Sequence, residues 1–440
     1  MNGETKVNRA RNNIIGAMLI VVVLAILGCD NTEKESVNTS DNLAVGAVAT
    51  GHYANLFVAA GYSAADVKNR IDSAFQLLFF GDPDTQAIYY PSGGNDNGPL
   101  AYIYDVNSKD VRSEGMSYGM MIAVQLNKKE VFDSIWNWSL TYMYNRGETH
   151  PAKGFFAWSV KTSGEIIDEM PAPDGEEYFA TALYFAAERW GNGEGIYNYS
   201  HYADTILHDI RHREVITGMT MRGEMTGGNL FDEDAKMVRF TPDIANADHT
   251  DASYHLPSFY EVWSRVGPKE DRDFWKKAAQ VSRDYFVKAA HSETGLTPDY
   301  GNFDGTPWAA PWRAESEDFR YDAWRTAMNW SMDWSWWAAD PRQQELSNRL
   351  QRFFESQGLE DYQSLYSLEG KMLGGGQTTG IVAMNATAGM AANEARKHDF
   401  IRALWELSVP TGPYRYYDGM LYMMAFLHCG GEYKAWLPTP

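Results

Sequence analysis

The chain of 440 residues contains only two cysteines, Cys29 and Cys429. That excludes a scaffold built on disulfides, so the fold must rest on the size of its core. A hydrophobic content of 44% is ample for one. Positive charge is also scarce, with 38 Lys and Arg against 58 Asp and Glu, a formal net charge of −20. Phosphate contacts need clustered cations, which argues against nucleic acid and against a basic membrane-facing patch. The acidic balance instead suits a neutral or weakly charged ligand. The apolar run at 14–27 is too short to span a bilayer. Period-two alternation is rare, which disfavours a sheet-based core. His249, His255 and His428 lack the spacing of metal ligands. Asp232, Glu233 and Asp234 lack the Gly-centred loop of a calcium site. Gly374-Gly-Gly376 lacks the Lys-Ser/Thr of a phosphate-binding loop. Neither a metal nor a cofactor is expected.

What is present begins with Lys6, Arg9 and Arg11, followed by the apolar run and by Ile26-Leu27-Gly28-Cys29. Positive flank, short apolar stretch and small residue together read as a secretory signal over 1–28. Residues 29–45 are largely polar, without hydrophobic periodicity, and read as a flexible tether to a single body over 46–440. In that body, apolar residues recur at three-to-four spacing over 63–78, 115–126, 130–144, 177–190, 201–213 and 258–266. The same spacing returns over 271–290, 323–338, 342–357, 380–392, 397–407 and 418–426. About a dozen helices with long connectors predict an all-α fold, a closed helical barrel with its loops gathered at one end. Cys429, flanked by apolar residues, reads as a buried inert thiol. Trp330 to Trp337, at mixed spacing, reads as helix packing.

Two acidic residues stand out. Glu114 lies between Ser113 and Gly115, where a turn hands over to an apolar run, and small neighbours would let a bulky ligand approach its carboxyl. Asp322 lies in Phe319-Arg-Tyr-Asp322-Ala-Trp-Arg325. Two carboxyls on separate elements, in a chain with 15 Trp and 26 Tyr, point to acid/base cleavage of a sugar polymer. Trp158 and Tyr254 are the best stacking platforms for a pyranose ring, with Tyr416 and Tyr417 behind them. Asp174, in Pro173-Asp174-Gly175, is also good turn chemistry in its own right.

Arg112-Ser-Glu-Gly-Met-Ser-Tyr-Gly-Met120, Gly154-Phe-Phe-Ala-Trp158 and Pro173-Asp-Gly-Glu176 resemble motifs of glycoside hydrolase family 8. Asp251-Ala-Ser-Tyr254, Tyr321-Asp-Ala-Trp-Arg325 and Tyr416-Tyr-Asp-Gly-Met-Leu-Tyr422 continue the resemblance in order, over roughly 50–436. It implies an (α/α)6 barrel with a groove across one end of its inner helices, and inversion at the anomeric carbon. It implies further that Glu114 is the general acid and Asp322 the general base. Asp174 would be a third carboxylate holding the sugar, and Arg325 would orient the base or bind a hydroxyl. The nearest likeness is to the xylan-active branch, including reducing-end xylose-releasing exo-oligoxylanases, so the implied partner is xylan or a xylo-oligosaccharide. Exo-acting relatives close one end of the groove with a loop before the final helices. The corresponding stretch here, Lys371-Met-Leu-Gly-Gly-Gly-Gln-Thr-Thr379, has no His-Pro pair, which leaves exo and endo cleavage open. Cys29 after its apolar run resembles a bacterial lipobox, implying a lipid-anchored protein of the cell envelope, and the catalytic body is expected to be a monomer.

Glucan or chitosan hydrolysis within the family is an alternative, as is a non-catalytic glycan-binding lipoprotein. A binder has no need of three carboxylates in one groove.

Overall fold

The computed structural model describes residues 44–438. The expected signal segment 1–28, Cys29 as the expected lipidation site and the expected tether up to residue 43 lie outside them. Two one-turn helices, α1 (Ala47–Thr50) and α2 (Leu56–Ala59), precede twelve longer ones. These alternate between an outer and an inner layer. The pairs are α3 (Ala64–Phe80) and α4 (Ser113–Gln125), α5 (Lys129–Tyr142) and α6 (Pro173–Trp190), and α7 (Tyr199–His212) and α8 (Pro257–Val266). They continue with α9 (Arg272–Ala289) and α10 (Ala323–Trp337), α11 (Arg342–Ser356) and α12 (Thr379–Thr387), and α13 (Lys397–Glu406) and α14 (Arg415–Cys429).

Sequence composition explains the layers. Every residue of α4 except Glu114 is buried, and so is α12 from Gly380 to Thr387. A helix apolar on all sides has to be enclosed by others. By contrast α9 and α11 bury one stripe and leave charged residues facing out. The inner helices touch in sequence from α4 through α6, α8, α10 and α12 to α14, and α14 packs back on α4. Each outer helix covers an inner neighbour, with α3 on α14, α5 on α4 and α7 on α6, and likewise around the ring. This is the (α/α)6 barrel. Trp330 and Trp336 lie in its core, and burial pushes the Cys429 thiol above its ordinary range. No helix among the described residues is long and apolar enough to cross a membrane.

The strands are short and antiparallel, and several of them lead into the inner helices. A hairpin of β1 (Tyr89–Asn95) and β2 (Gly98–Ile103) follows α3, and a three-stranded sheet joins β3 (Val111–Arg112), β4 (Ser159–Val160) and β5 (Ile166–Asp168), with Arg112 opposite Ser159. The chain runs straight from β3 into α4. A hairpin of β6 (Ile216–Thr220) and β7 (Gly223–Gly227) follows α7. Further on, β8 (His249–Asp251) pairs with β9 (Tyr300–Asn302), Asp251 lying opposite Tyr300. From β8 a 3-10 turn, Ala252–Tyr254, feeds α8. The start of each inner helix is thereby fixed by a strand or loop at one end of the barrel.

Candidate active site

Glu114 is in the first turn of α4, Asp174 in the first turn of α6, and Asp322 directly before α10. Sequence distance vanishes at Arg325, one turn into α10. Its Nη1 donates to Glu114 Oε2 at 2.9 Å, to Asp174 Oδ2 at 2.7 Å and to the Tyr118 hydroxyl at 2.8 Å. Its Nη2 donates to Asp322 Oδ1 at 2.9 Å and to Ser253 Oγ at 3.0 Å. One buried guanidinium thus gathers three carboxyl groups. Its planar fork limits the bonded oxygens of Glu114 and Asp322 to about 8 Å apart, which overlaps the spacing of inverting glycosidases. Nη1 has fewer hydrogens than its three acceptors, so protonation of one carboxyl relieves the crowding.

Electrostatics makes Glu114 a ready holder of that proton. Helix N-termini favour carboxylates. Burial opposes this and is the larger effect; Arg325 and Arg112 pull down, whereas Asp174 and Asp322 push up, and the Glu114 carboxyl is pushed up to about 7. Burial also raises Asp174, against the pull of Arg325. Asp322 is the most open of the three, its side chain 27% exposed against 16% for Glu114 and 3% for Asp174. Water reaches it most readily.

The small residues around Glu114 do something other than expected. A Cβ on Gly115 would lie 2.6 Å from the Tyr416 ring, and one on Gly175 would lie 2.7 Å from Ser113 Oγ. They admit a tyrosine and a neighbouring helix, not a ligand. Tyr416 is 1% exposed and its hydroxyl donates to Glu114 Oε1 at 2.9 Å. Expectation made it a stacking platform; burial makes it a holder of the carboxyl. Tyr417, partly buried, donates its hydroxyl to the Tyr321 carbonyl at 2.8 Å.

The cavity above the carboxyls measures about 400 Å³ and is lined by Trp158, Tyr254, Phe240 and Trp312 among others. The Arg112 guanidinium sits 5.5 Å from the centre of the Trp158 ring and is held by Asp105 at 3.2 Å and Asp110 at 3.1 Å. Tyr254 keeps 7% of its surface exposed and lies nearly parallel to Phe240, with ring centres 5.8 Å apart. Trp312, at 60% exposure, offers the most open aromatic face. It was not among the expected platforms, since it lies in a Pro-rich connector without periodicity.

Two aspartates were missed as parts of the site. Asp299 Oδ1 accepts from the backbone N–H of Asp322 at 3.0 Å and of Ala323 at 3.2 Å. Its other oxygen pairs with Arg313 at 2.7 Å. It caps α10 from outside and fixes where Asp322 stands. Burial, then the charge of Asp322, pushes its carboxyl up to about 7. Asp251 accepts from Ser253 N–H at 2.7 Å, and burial raises it well above the carboxylate range. Asp251 stood in a noted motif, but nothing around Asp299 marks a cap acting across 23 residues. His255 is bonded to Ser282 and Thr250, at 2.9 and 3.1 Å.

The sequence model described as glycosyl hydrolases family 8 matches residues 97–431. The chain is 40% identical over 394 residues to the reducing-end xylose-releasing exo-oligoxylanase Rex8A of Paenibacillus barcinonensis, covering 89% of this chain and 98% of that one. It is 26% identical to Endoglucanase 2 of Ruminiclostridium josui over 74% of this chain and 64% of the other. A crystal structure of a GH8 xylobiose complex from Teredinibacter turnerae is 66% identical, with a TM-score of 0.88 over 89% of this chain and 100% of that one.

Proposed function

This chain belongs to glycosyl hydrolase family 8, and we propose that it hydrolyses β-1,4-xylosidic bonds of xylo-oligosaccharides and xylan, with Glu114 as general acid and Asp322 as general base. The observation that carries the reading is the single guanidinium of Arg325 holding both groups and Asp174 at the floor of one cavity. Glu114, protonated near neutral pH, gives its proton to the departing glycosidic oxygen as the C1–O bond breaks. A water beside Asp322 forms the new C1–O bond from the opposite face and gives its proton to that carboxylate. Entry from the opposite face inverts the anomeric carbon. Exchange with solvent then reprotonates Glu114 and clears Asp322. Asp174, fixed by Arg325 and its neighbouring Gly175 N–H at 2.9 Å, holds the sugar between them.

The names of the relatives support xylose as the unit recognised, and those at 36–40% identity support release from the reducing end. A second reading, cleavage within the chain, is favoured by Gly374, which ends the short β10–β11 hairpin (Leu365–Tyr366 and Met372–Gly374), and by Gly375 and Gly376 after it, all at positive φ and without a bulky side chain. A 66% identical crystal structure is a xylohexaose complex of a xylanase. Xylohexaose, cello-oligosaccharides and chitosan oligomers incubated with the purified protein distinguish these readings: stepwise xylose supports the first and mixed fragments the second. Glu114→Gln should lower turnover by about 10²–10⁴-fold, and a loss below tenfold would remove it from the acid role. Attachment to the envelope through Cys29 is a separate proposal resting on Ile26-Leu27-Gly28-Cys29. Cys29→Ser should move the protein from the detergent phase to the aqueous phase.

A further inference from the structure

Two separate segments supply much of the lining of the cavity, the β3–β5 sheet with its flanks and the loop before β8. The first supplies Arg112, Trp158, Asp168 and Met170; the second supplies Phe240, Thr241, Asp243 and Asn246. The β6–β7 hairpin joins them. Its root is built onto the backbone: Gly227 pairs with Asp243, and Gly228 N–H donates to the Pro242 carbonyl at 2.8 Å. A Cβ on Gly218 or Gly227 would collide with the carbonyls of Thr149 or Pro151, at 2.1 and 2.0 Å, so the root sits directly on that segment. Its tip is tied differently. Arg222 pairs with Asp168, and Met221 N–H donates to Glu169, which also pairs with His150 at 3.1 Å. Arg222 and Met225 line the cavity that holds the three carboxyls at its floor. The Arg222 side chain is 68% exposed, so its tie to Asp168 is accessible to solvent, whereas the root is anchored through backbone groups.

Taking the glycosidase reading as its basis, we propose that this hairpin is the end wall of the groove and that the Arg222–Asp168 tie limits how many sugar units fit on that side of the scissile bond. A long chain must displace or overrun the tie, whereas a short one stops inside it. Loss of an exposed ion pair changes such a balance by about two- to fivefold.

The test compares kcat/KM for xylohexaose with that for xylotriose in the parent protein, Arg222→Ala, Asp168→Asn and the exchanged pair Arg222→Asp with Asp168→Arg. Both single variants should raise the hexaose-to-triose ratio about two- to fivefold, and the exchanged pair should bring it back towards the parent. Salt at about 1 M should raise the parent ratio and leave Arg222→Ala unchanged, because an exposed pair is screened. An unchanged ratio in both single variants overturns the proposal. So does a fall in Arg222→Ala, which would make Arg222 a contact for the distal sugar. Calorimetric binding of the two oligosaccharides to the same variants reads the wall without turnover. A parent protein that binds but does not cleave xylo-oligosaccharides therefore tells against the reaction and not against the wall.

Discussion

At Glu114 two fields oppose each other, the N-terminal end of α4 favouring the carboxylate and the buried surroundings favouring the acid. Burial is the larger effect, and the charges around it set the remainder. The acid is competent while protonated, so activity should fall as pH rises through about 7. Asp174 is one of the groups raising Glu114, so Asp174→Asn should move the alkaline limb of residual kcat/KM to lower pH. Tyr416→Phe removes a donor that stabilises the carboxylate and should move the limb to higher pH. Shifts of about one unit or less suffice, since one unit corresponds to about 1.4 kcal/mol. Limbs moving together in both variants would remove Glu114 as the titrating acid. Glu114, Asp174 and Asp322 were legible as candidates because their flanking residues form motifs. Asp299 was not, because capping α10 from a distant loop leaves no trace near it in sequence.

The twelve long helices were legible as elements from apolar residues at three-to-four spacing, which in α4 and α12 merge into a nearly continuous apolar run. Their starts were less so. The periodicity placed the first residues at 115, 177 and 418, whereas α4, α6 and α14 begin at Ser113, Pro173 and Arg415. The missing turns hold Glu114, Asp174 and Tyr416, polar groups that interrupt the apolar pattern because they serve the groove. α12 erred at the other end: expected to run to 392, it stops at Thr387 and passes into a 3-10 turn, Ala388–Met390. Ring closure was invisible locally, since it depends on α14 meeting α4. The close approach of α4 and α6 carries its own prediction. In Gly175→Ala the added Cβ would stand 2.7 Å from Ser113 Oγ and 2.9 Å from Ser113 Cβ. Overpacking of this kind costs about 1–3 kcal/mol. It would also separate Glu114 from Asp174, so kcat should fall more steeply than the melting temperature shift alone explains. Unchanged kcat with a lowered Tm would mean that the helix starts tolerate displacement.

For the whole molecule, a net charge of −20 and a set of buried carboxyls push stability in the same direction with pH. Glu176, Glu177 and Asp251 are all raised well above the ordinary carboxylate range, burial being the first cause in each. Glu177 accepts from the Tyr260 hydroxyl at 2.7 Å through one oxygen, and its other oxygen is buried without a partner. Such a group holds its proton in the folded chain and loses it near the ordinary value in the unfolded one. Between those two pKa values the native state binds more protons, so stability is fully present below the unfolded value and declines as pH rises towards the folded one. Repulsion among surface charges gives a similar slope, but about 1 M salt shortens the Debye length to about 3 Å and suppresses it. Buried carboxyls are screened much less. The melting temperature should therefore decline from about pH 5 to 8 even at high salt, and Glu177→Gln, which keeps an acceptor for Tyr260, should flatten the decline. A slope that disappears in salt in the parent protein would assign the effect to net charge, and Glu177 would then have no part in it.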